Sequence, residues 1–209
     1  MKAVTSLKLK FLRGVTDIGD EAFYLCYELR SIKIPDSVKA IGYAAFQDCE
    51  HLQSIVIPDG VREIEDYTFC NCANLQSIEM PQTVTVIGVH AFSGCGSLQS
   101  IVIPDGVTVI EEGLFSGCHS LQSIEIPDGL IVIEDNVFED CALQSVTIKT
   151  LEKEPNLSYK NIQFILQALS EISKPLEINL RVPIGCGYAY RCNSRFAGKL
   201  KNIIADVRD

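Results

Sequence analysis

The sequence predicts a solenoid, a β-rich stack of about six short coils made from one unit repeated along the chain. Three observations predict it. An apolar residue followed by Pro occurs at Ile34-Pro35, Ile57-Pro58, Met80-Pro81, Ile103-Pro104 and Ile126-Pro127, always 23 residues apart. The same step links Phe23, Phe46, Phe69, Phe92, Phe115 and Phe138. It also links Cys26, Cys49, Cys72, Cys95, Cys118 and Cys141. A Leu column runs in phase from Leu29 through Leu52, Leu75 and Leu98 to Leu121, then slips to Leu143 because one residue is missing after Cys141. Two further columns begin at Ile32 and Ile41 and pass through Ile55 and Ile64 to Ile124 and Ile133.

One unit shows why such a period folds. Leu98-Gln99-Ser100-Ile101-Val102-Ile103 has the L-x-x-L-x-L spacing of a leucine-rich repeat, and 23 residues lies within that class's range. Strand side chains alternate, so Ile101 and Ile103 share the inner face while Val102 points away. Pro104 ends the strand because it has no N–H to donate to a ladder. Asp105-Gly106 is turn chemistry, with Gly tolerating positive φ. Val107 and Ile110 then turn back to the interior, and Phe115 fills the centre of the coil. A single coil cannot bury these groups, whereas stacked coils cover one another. The predicted fold is therefore a right-handed leucine-rich-repeat solenoid of the α/β class, rich in β structure.

The ends need separate treatment. Residues 1–148 are assigned to the repeats and 149–209 to a C-terminal unit continuous with them. Lys149 stands at the Pro position of the slipped repeat, and the next strand-Pro junction, at Pro183, comes 34 residues later. Between them, Leu157 to Ser173 carries Ile162, Ile165, Leu166, Leu169 and Ile172 at helical spacing, with Ser158 as N-cap and Pro175 beyond the end. Leu176, Ile178, Leu180 and Val182 alternate like a half-buried strand. The segment from Val182 through Tyr190 and Phe196 to Ile204 reads as a cap that covers the last coil.

At the other end, Leu9, Val15 and Ile18 sit one period before Ile32, Val38 and Ile41, so a repeat is under way almost at Met1. Three readings stay open there: an end strand kept polar by Lys8 and Lys10, a shortened chain, or end-to-end pairing. A trimmed or naturally short form is the expectation. Residues 1–10 lack the apolar block of a secretory signal, so the chain is expected to begin in the cytosol or to have lost its export signal.

Composition narrows the function classes. With 47% apolar residues, 22% charged residues and a net charge of −9, the 209-residue chain has a packed interior and no basic footprint for nucleic acid. No apolar run approaches the roughly 18 residues of a membrane span, so no membrane insertion is expected.

The columns resemble the BspA-like branch of leucine-rich repeats, whose unit ends a strand in Pro and carries an Ala-Phe-x-x-Cys-x-x-Leu segment. That segment stands here as Ala45-Phe46-Gln47-Asp48-Cys49-Glu50-His51-Leu52 and as Ala91-Phe92-Ser93-Gly94-Cys95-Gly96-Ser97-Leu98. The resemblance spans about residues 5–148. It implies a binding or adhesion module, since the family is known for bacterial surface proteins and also occurs in some parasitic protists. It also implies a surface or secreted location, with a cytoplasmic one if Met1 is the native start.

The repeating cysteines read as a buried ladder of small apolar groups, although neighbouring coils about 4.8 Å apart approach disulfide spacing. Cys70 stands in the column of Tyr24, Gln47 and Ser93 and is expected to be exposed, pointing away from Cys72. Cys186 and Cys192 are candidates for closing a small loop under oxidising conditions. His51, His90 and His119 occupy three different repeat positions and read as surface residues. Asp36, Asp59, Asp105 and Asp128 belong to turns, which explains them without calcium. Gly185-Cys186-Gly187 lacks the rest of a nucleotide fingerprint, and no nucleophile-elbow sequence is present. No enzyme activity, cofactor or metal is expected.

What remains is a surface. The outward strand residue in successive coils is Lys33, Val56, Glu79, Val102, Glu125 and Thr147, a column that changes charge and polarity while its neighbours stay constant. Gln53, Gln76, Gln99, Gln122 and Gln144, with the Ser column beside them, read as solvated ladders. The expectation is a monomeric, non-enzymatic module that binds a protein or glycan ligand on this face. The alternative is a structural scaffold that self-assembles through the solenoid ends.

Overall fold

The computed structural model describes residues 14–127, 129–149, 177–182 and 202–205. Twelve strands lie within them: β1 Asp17–Ile18, β2 Ala40–Ile41, β3 Ser54–Val56, β4 Glu63–Ile64, β5 Ser77–Glu79, β6 Val86–Ile87, β7 Val109–Ile110, β8 Ser123–Ile126, β9 Val132–Ile133, β10 Ser145–Lys149, β11 Glu177–Val182 and β12 Asn202–Ala205. Every pairing between them is parallel, as it must be when each coil repeats the path of the one before. The chain is a β-solenoid with one coil per 23-residue unit.

Each full coil has three sides. The first is the strand that precedes Pro, represented by β3, β5, β8 and β10. Its register sets Ile55 beside Ile78 and Ile124 beside Val146, so inner residues stack on inner residues. The second side is a two-residue strand after the turn, represented by β1, β2, β4, β6, β7 and β9. The sequence signals it only as inward-turning Val and Ile. Residues such as Val109 and Ile110 are β-branched, which favours the extended conformation they take. The third side carries Phe.

The Phe column is the internal spine, as expected. Phe46, Phe69, Phe92 and Phe115 are fully buried. Their rings stack nearly parallel, with centroids 5.5 Å apart for Phe46–Phe69, 5.6 Å for Phe69–Phe92 and 6.0 Å for Phe92–Phe115. The Leu and Ile columns pack around the spine. The residue missing after Cys141 is absorbed in the link to the next strand. Leu143 stays buried, and Ser145 keeps its place beside Ser123.

The turn expected after Pro is present and does not use the positive φ that glycine tolerates. The Pro-Asp-Gly-Val corner closes by an N–H donated from the fourth residue to the Pro carbonyl, as in Val61 to Pro58 and Val107 to Pro104, both 3.0 Å. Gly60 and Gly106 do not take positive φ there. Crowding explains the glycine at position 60: a Cβ on Gly60 would lie 2.8 Å from the Val38 carbonyl oxygen one coil back. Where the same column carries a hydroxyl, that hydroxyl donates to the preceding coil instead. Ser37 reaches the Val15 carbonyl at 2.6 Å, and Thr83 reaches Asp59 at 2.9 Å.

Beyond the last regular coil the sheet continues. β11 pairs with β10, with Ile178 beside Val146 and Leu180 beside Ile148, and β12 pairs with β11. Of the strand expected over 176–182, Glu177–Val182 is present and extends the solenoid sheet past residue 149. The helix expected over 157–173, the cap residues 183–201, Cys186, Cys192 and the edge lysines Lys8 and Lys10 lie outside the described residues.

Candidate functional site

The variable column comes to the surface. Lys33, Val56, Glu79, Val102 and Glu125 are exposed and Thr147 is half-buried. Pairing sets Val56 beside Glu79, Val102 beside Glu125, and Glu125 beside Thr147. Val56 is 55% exposed and Val102 72%, so both apolar side chains stand in solvent. Both stand out because their inner neighbours Ile55, Ile57, Ile101 and Ile103 already supply the core. The face is not one unbroken sheet. β3 and β5 form one two-stranded unit, β8, β10, β11 and β12 another, and Val102 joins Glu125 by a single bridge.

The Phe side is bonded far more regularly. In each coil three N–H groups donate to the next coil, as in Tyr67 to Val89 at 2.9 Å, Phe69 to Ala91 at 2.9 Å and Asn71 to Ser93 at 2.7 Å. The N–H groups between them close on their own coil, as in Thr68 to Glu65 and Cys70 to Tyr67. This alternation needs a left-handed residue two places before and two places after each Phe. Ala44 and Asp48 flank Phe46 in this way, Tyr67 and Asn71 flank Phe69, and Gly113 and Gly117 flank Phe115. The Asn, Asp and Gly residues two places after Phe were a legible signal for this geometry, because those types tolerate positive φ. Reading the column only for polarity misses it.

The cysteine column has a chemical role beyond filling space. Each buried thiol donates to the Phe carbonyl of the preceding coil: Cys49 to Phe23, Cys72 to Phe46 and Cys95 to Phe69, all at 3.2 Å, then Cys118 to Phe92 at 3.3 Å and Cys141 to Phe115 at 3.0 Å. The same carbonyls accept the N–H of their own coil's Cys, as in Cys72 to Phe69 at 3.2 Å. Each Phe carbonyl thus uses both of its lone pairs. Burial pushes the Cys49 thiol up to about 12, with the neighbouring Cys26 adding to it. Burial likewise raises Cys72, Cys95 and Cys118 far above the ordinary thiol range. A thiol held protonated is neither a nucleophile nor a metal ligand.

Cys70 departs from the expectation of exposure. It is only 8% exposed, and burial, with Asp48 nearby, pushes its thiol up to about 11. Its column is polar in other coils, as at Gln47, Ser93 and Ser116, which are half-buried. Cys26, in the first coil, is half-buried.

His119 is exposed, while His51 and His90 are half-buried, and all three sit on the outer shell of the solenoid. His51 Nδ1 lies 2.7 Å from the Tyr27 carbonyl and His119 Nδ1 lies 2.9 Å from that of Asp140, which gives both rings structural partners. Among the described residues no group of three or more His, Cys, Asp or Glu is arranged to hold a metal. No helix among them is long and apolar enough to cross a membrane.

Comparison with known proteins agrees with this architecture. A model of the BspA type leucine rich repeat region matches in six copies, over residues 3–109 and 85–174. The crystal structure of the T. pallidum leucine rich repeat protein is similar at 35% identity and a TM-score of 0.61, covering 70% of this chain and 72% of that one. A leucine-rich repeat protein from Bacteroides ovatus is 22% identical with a TM-score of 0.47, over 92% of this chain and 64% of its own. A leucine rich cell surface protein from Faecalibacterium prausnitzii is 25% identical with a TM-score of 0.48, over 97% of this chain and 60% of its own. The chain thus spans less than two thirds of the length of these last two. No curated protein sequence matches.

Proposed function

The chain belongs to the BspA-type leucine-rich repeat family, and we propose that it works as a non-enzymatic adhesion module, monomeric and placed at the cell surface or secreted. Its ligand is a protein or a glycan held on the strand face formed by Lys33, Val56, Glu79, Val102, Glu125 and Thr147. One observation carries the reading. Residues facing inward repeat almost unchanged, whereas the outward residue between them varies from coil to coil and includes two exposed valines. A solenoid needs the inner pattern to fold and leaves the outer one free to be shaped by a partner.

The test is binding to immobilised surface and matrix ligands by the parent and by Glu79→Lys/Glu125→Lys. Reversing both charges is expected to reduce capture by at least about tenfold, as charge juxtaposition at an interface does. Equal capture by the double variant would rule this face out as the interface. Sedimentation at high concentration separates the module from a self-assembling scaffold: a monomer is expected, and concentration-dependent growth supports the scaffold instead.

A further inference from the structure

A different edge of the solenoid, where the second strand runs into the Phe turn, carries a run of rings across three coils. Tyr43 is exposed, and Tyr67 and His90 are half-buried. The Tyr43 and Tyr67 rings meet edge-on at 5.8 Å, and Tyr67 meets His90 at 5.3 Å. These rings add nothing to the spine, which is complete without them. Tyr67 and His90 also hold left-handed backbone, with φ of 57° and 53°, where the equivalent places in later coils use Gly113 and Asn136.

The rings stand among carboxylates. Asp20 and Asp66 each use one oxygen to accept a backbone N–H from the next coil, of Tyr43 at 3.0 Å and of Val89 at 2.8 Å. Glu65, Glu111 and Glu112 lie along the same edge, half-buried or exposed. Burial first, then Asp20 and Glu63, pushes the Glu65 carboxyl up, and burial first, then Glu134 and Asp66, does the same for Glu111.

We propose that this ring-and-carboxylate edge is a second interaction surface and that it takes an arginine-bearing segment of a partner protein. The negative face of an aromatic ring attracts a cation, and the adjoining carboxylates add charge of the complementary sign. Arginine fits better than lysine because its planar guanidinium stacks on Tyr while forking its N–H groups onto a carboxylate. A neutral glycan would use the rings and leave the carboxylate charge unanswered. The surface is separate from the strand face and stands or falls independently of it.

The test is fluorescence anisotropy at low salt with a labelled (Gly-Arg)6 peptide, its (Gly-Lys)6 counterpart, and chitohexaose as the glycan probe. The arginine peptide is expected to bind several-fold more tightly than the lysine peptide. Tyr67→Asn removes a ring without changing charge and suits positive φ, and it is expected to weaken binding about tenfold. Tyr43→Ser, at ordinary backbone geometry, provides the same reading if Tyr67→Asn unfolds. Glu65→Gln/Glu112→Gln is expected to weaken binding by a similar factor, and Glu28→Gln/Glu50→Gln, an equal charge change at the other end of the turn, by less than about twofold. The proposal is overturned if the arginine peptide does not bind, if both ring variants bind it like the parent, or if the two Gln pairs weaken it equally. Chitohexaose binding that is lost in the ring variants would assign the edge to glycans and overturn it as well.

Discussion

The strand side and the Phe side of this solenoid are made by the same repeat, yet they are held together differently. On the strand side, coil-to-coil bonding comes in separate short sheets, joined in places by a single bridge. On the Phe side, three forward hydrogen bonds, a ring stack and a thiol contact recur at each step between the full coils. On the Phe side the backbone groups and thiols are taken up by these contacts between coils, and what it offers a partner is confined to the edge of Tyr43, Tyr67 and His90. The strand side, with its inner residues buried, turns a column of varied charge and polarity outward.

The largest way to break the Phe side is alkali. Unfolded thiols ionise near pH 9, while burial keeps those of Cys49, Cys72, Cys95 and Cys118 protonated well beyond it. Above that pH the unfolded chain binds fewer protons than the folded one, so stability is complete below about pH 8.5 and falls as pH rises. Each buried thiol contributes a slope of about 1.4 kcal/mol per pH unit. Denaturant midpoints measured between pH 7 and pH 10.5 should therefore drop steeply, and far less in a variant whose column cysteines are replaced by Ala.

Next comes the ring stack. Phe92→Ala is expected to cost about 3–5 kcal/mol by lost burial and a residual cavity, read by equilibrium denaturation. A thermal midpoint within a degree of the parent would remove Phe92 from the spine. Gly88→Ala tests how closely coils approach where the second strand enters the Phe turn. A Cβ there would lie 2.6 Å from the Asp66 nitrogen and 2.9 Å from the Glu65 carbonyl carbon, backbone atoms that cannot rotate away. A loss of about 2–3 kcal/mol is expected. Val102→Thr, on the strand side, should change stability by less than about 0.5 kcal/mol, and a larger loss would mean that this valine serves packing.

The period made the fold legible because each constant column answers one physical need: Phe92 for the centre, Ile101 and Ile103 for the inner face, Pro104 for the strand end. The outward placement of Val102 followed from alternation alone. What escaped depends on contacts between coils rather than on residue type within one. A Cys column is the same whether its thiols merely fill space or donate to the Phe carbonyls one coil back. Gly60 reads simply as turn chemistry, while the Val38 carbonyl one coil back is what leaves no room for a Cβ. Cys70 took its expected exposure from polar neighbours in its column, although the fold buries it. The left-handed positions were half visible in Asp48, Asn71, Gly94 and Gly117, and Tyr67 and His90 obscured the matching positions before Phe. The acidic edge was legible as composition but not as a place, because Tyr43 and Tyr67 stand in different columns and meet only across coils.

Amide hydrogen exchange tests the contrast between the two sides most directly. The account predicts that the amides of Phe46, Phe69, Phe92 and Phe115 exchange only through global unfolding, more slowly than those of Ser100, Ile101 and Val102 on the strand side. Strand amides at 100–102 protected as well as or better than the Phe amides would contradict it.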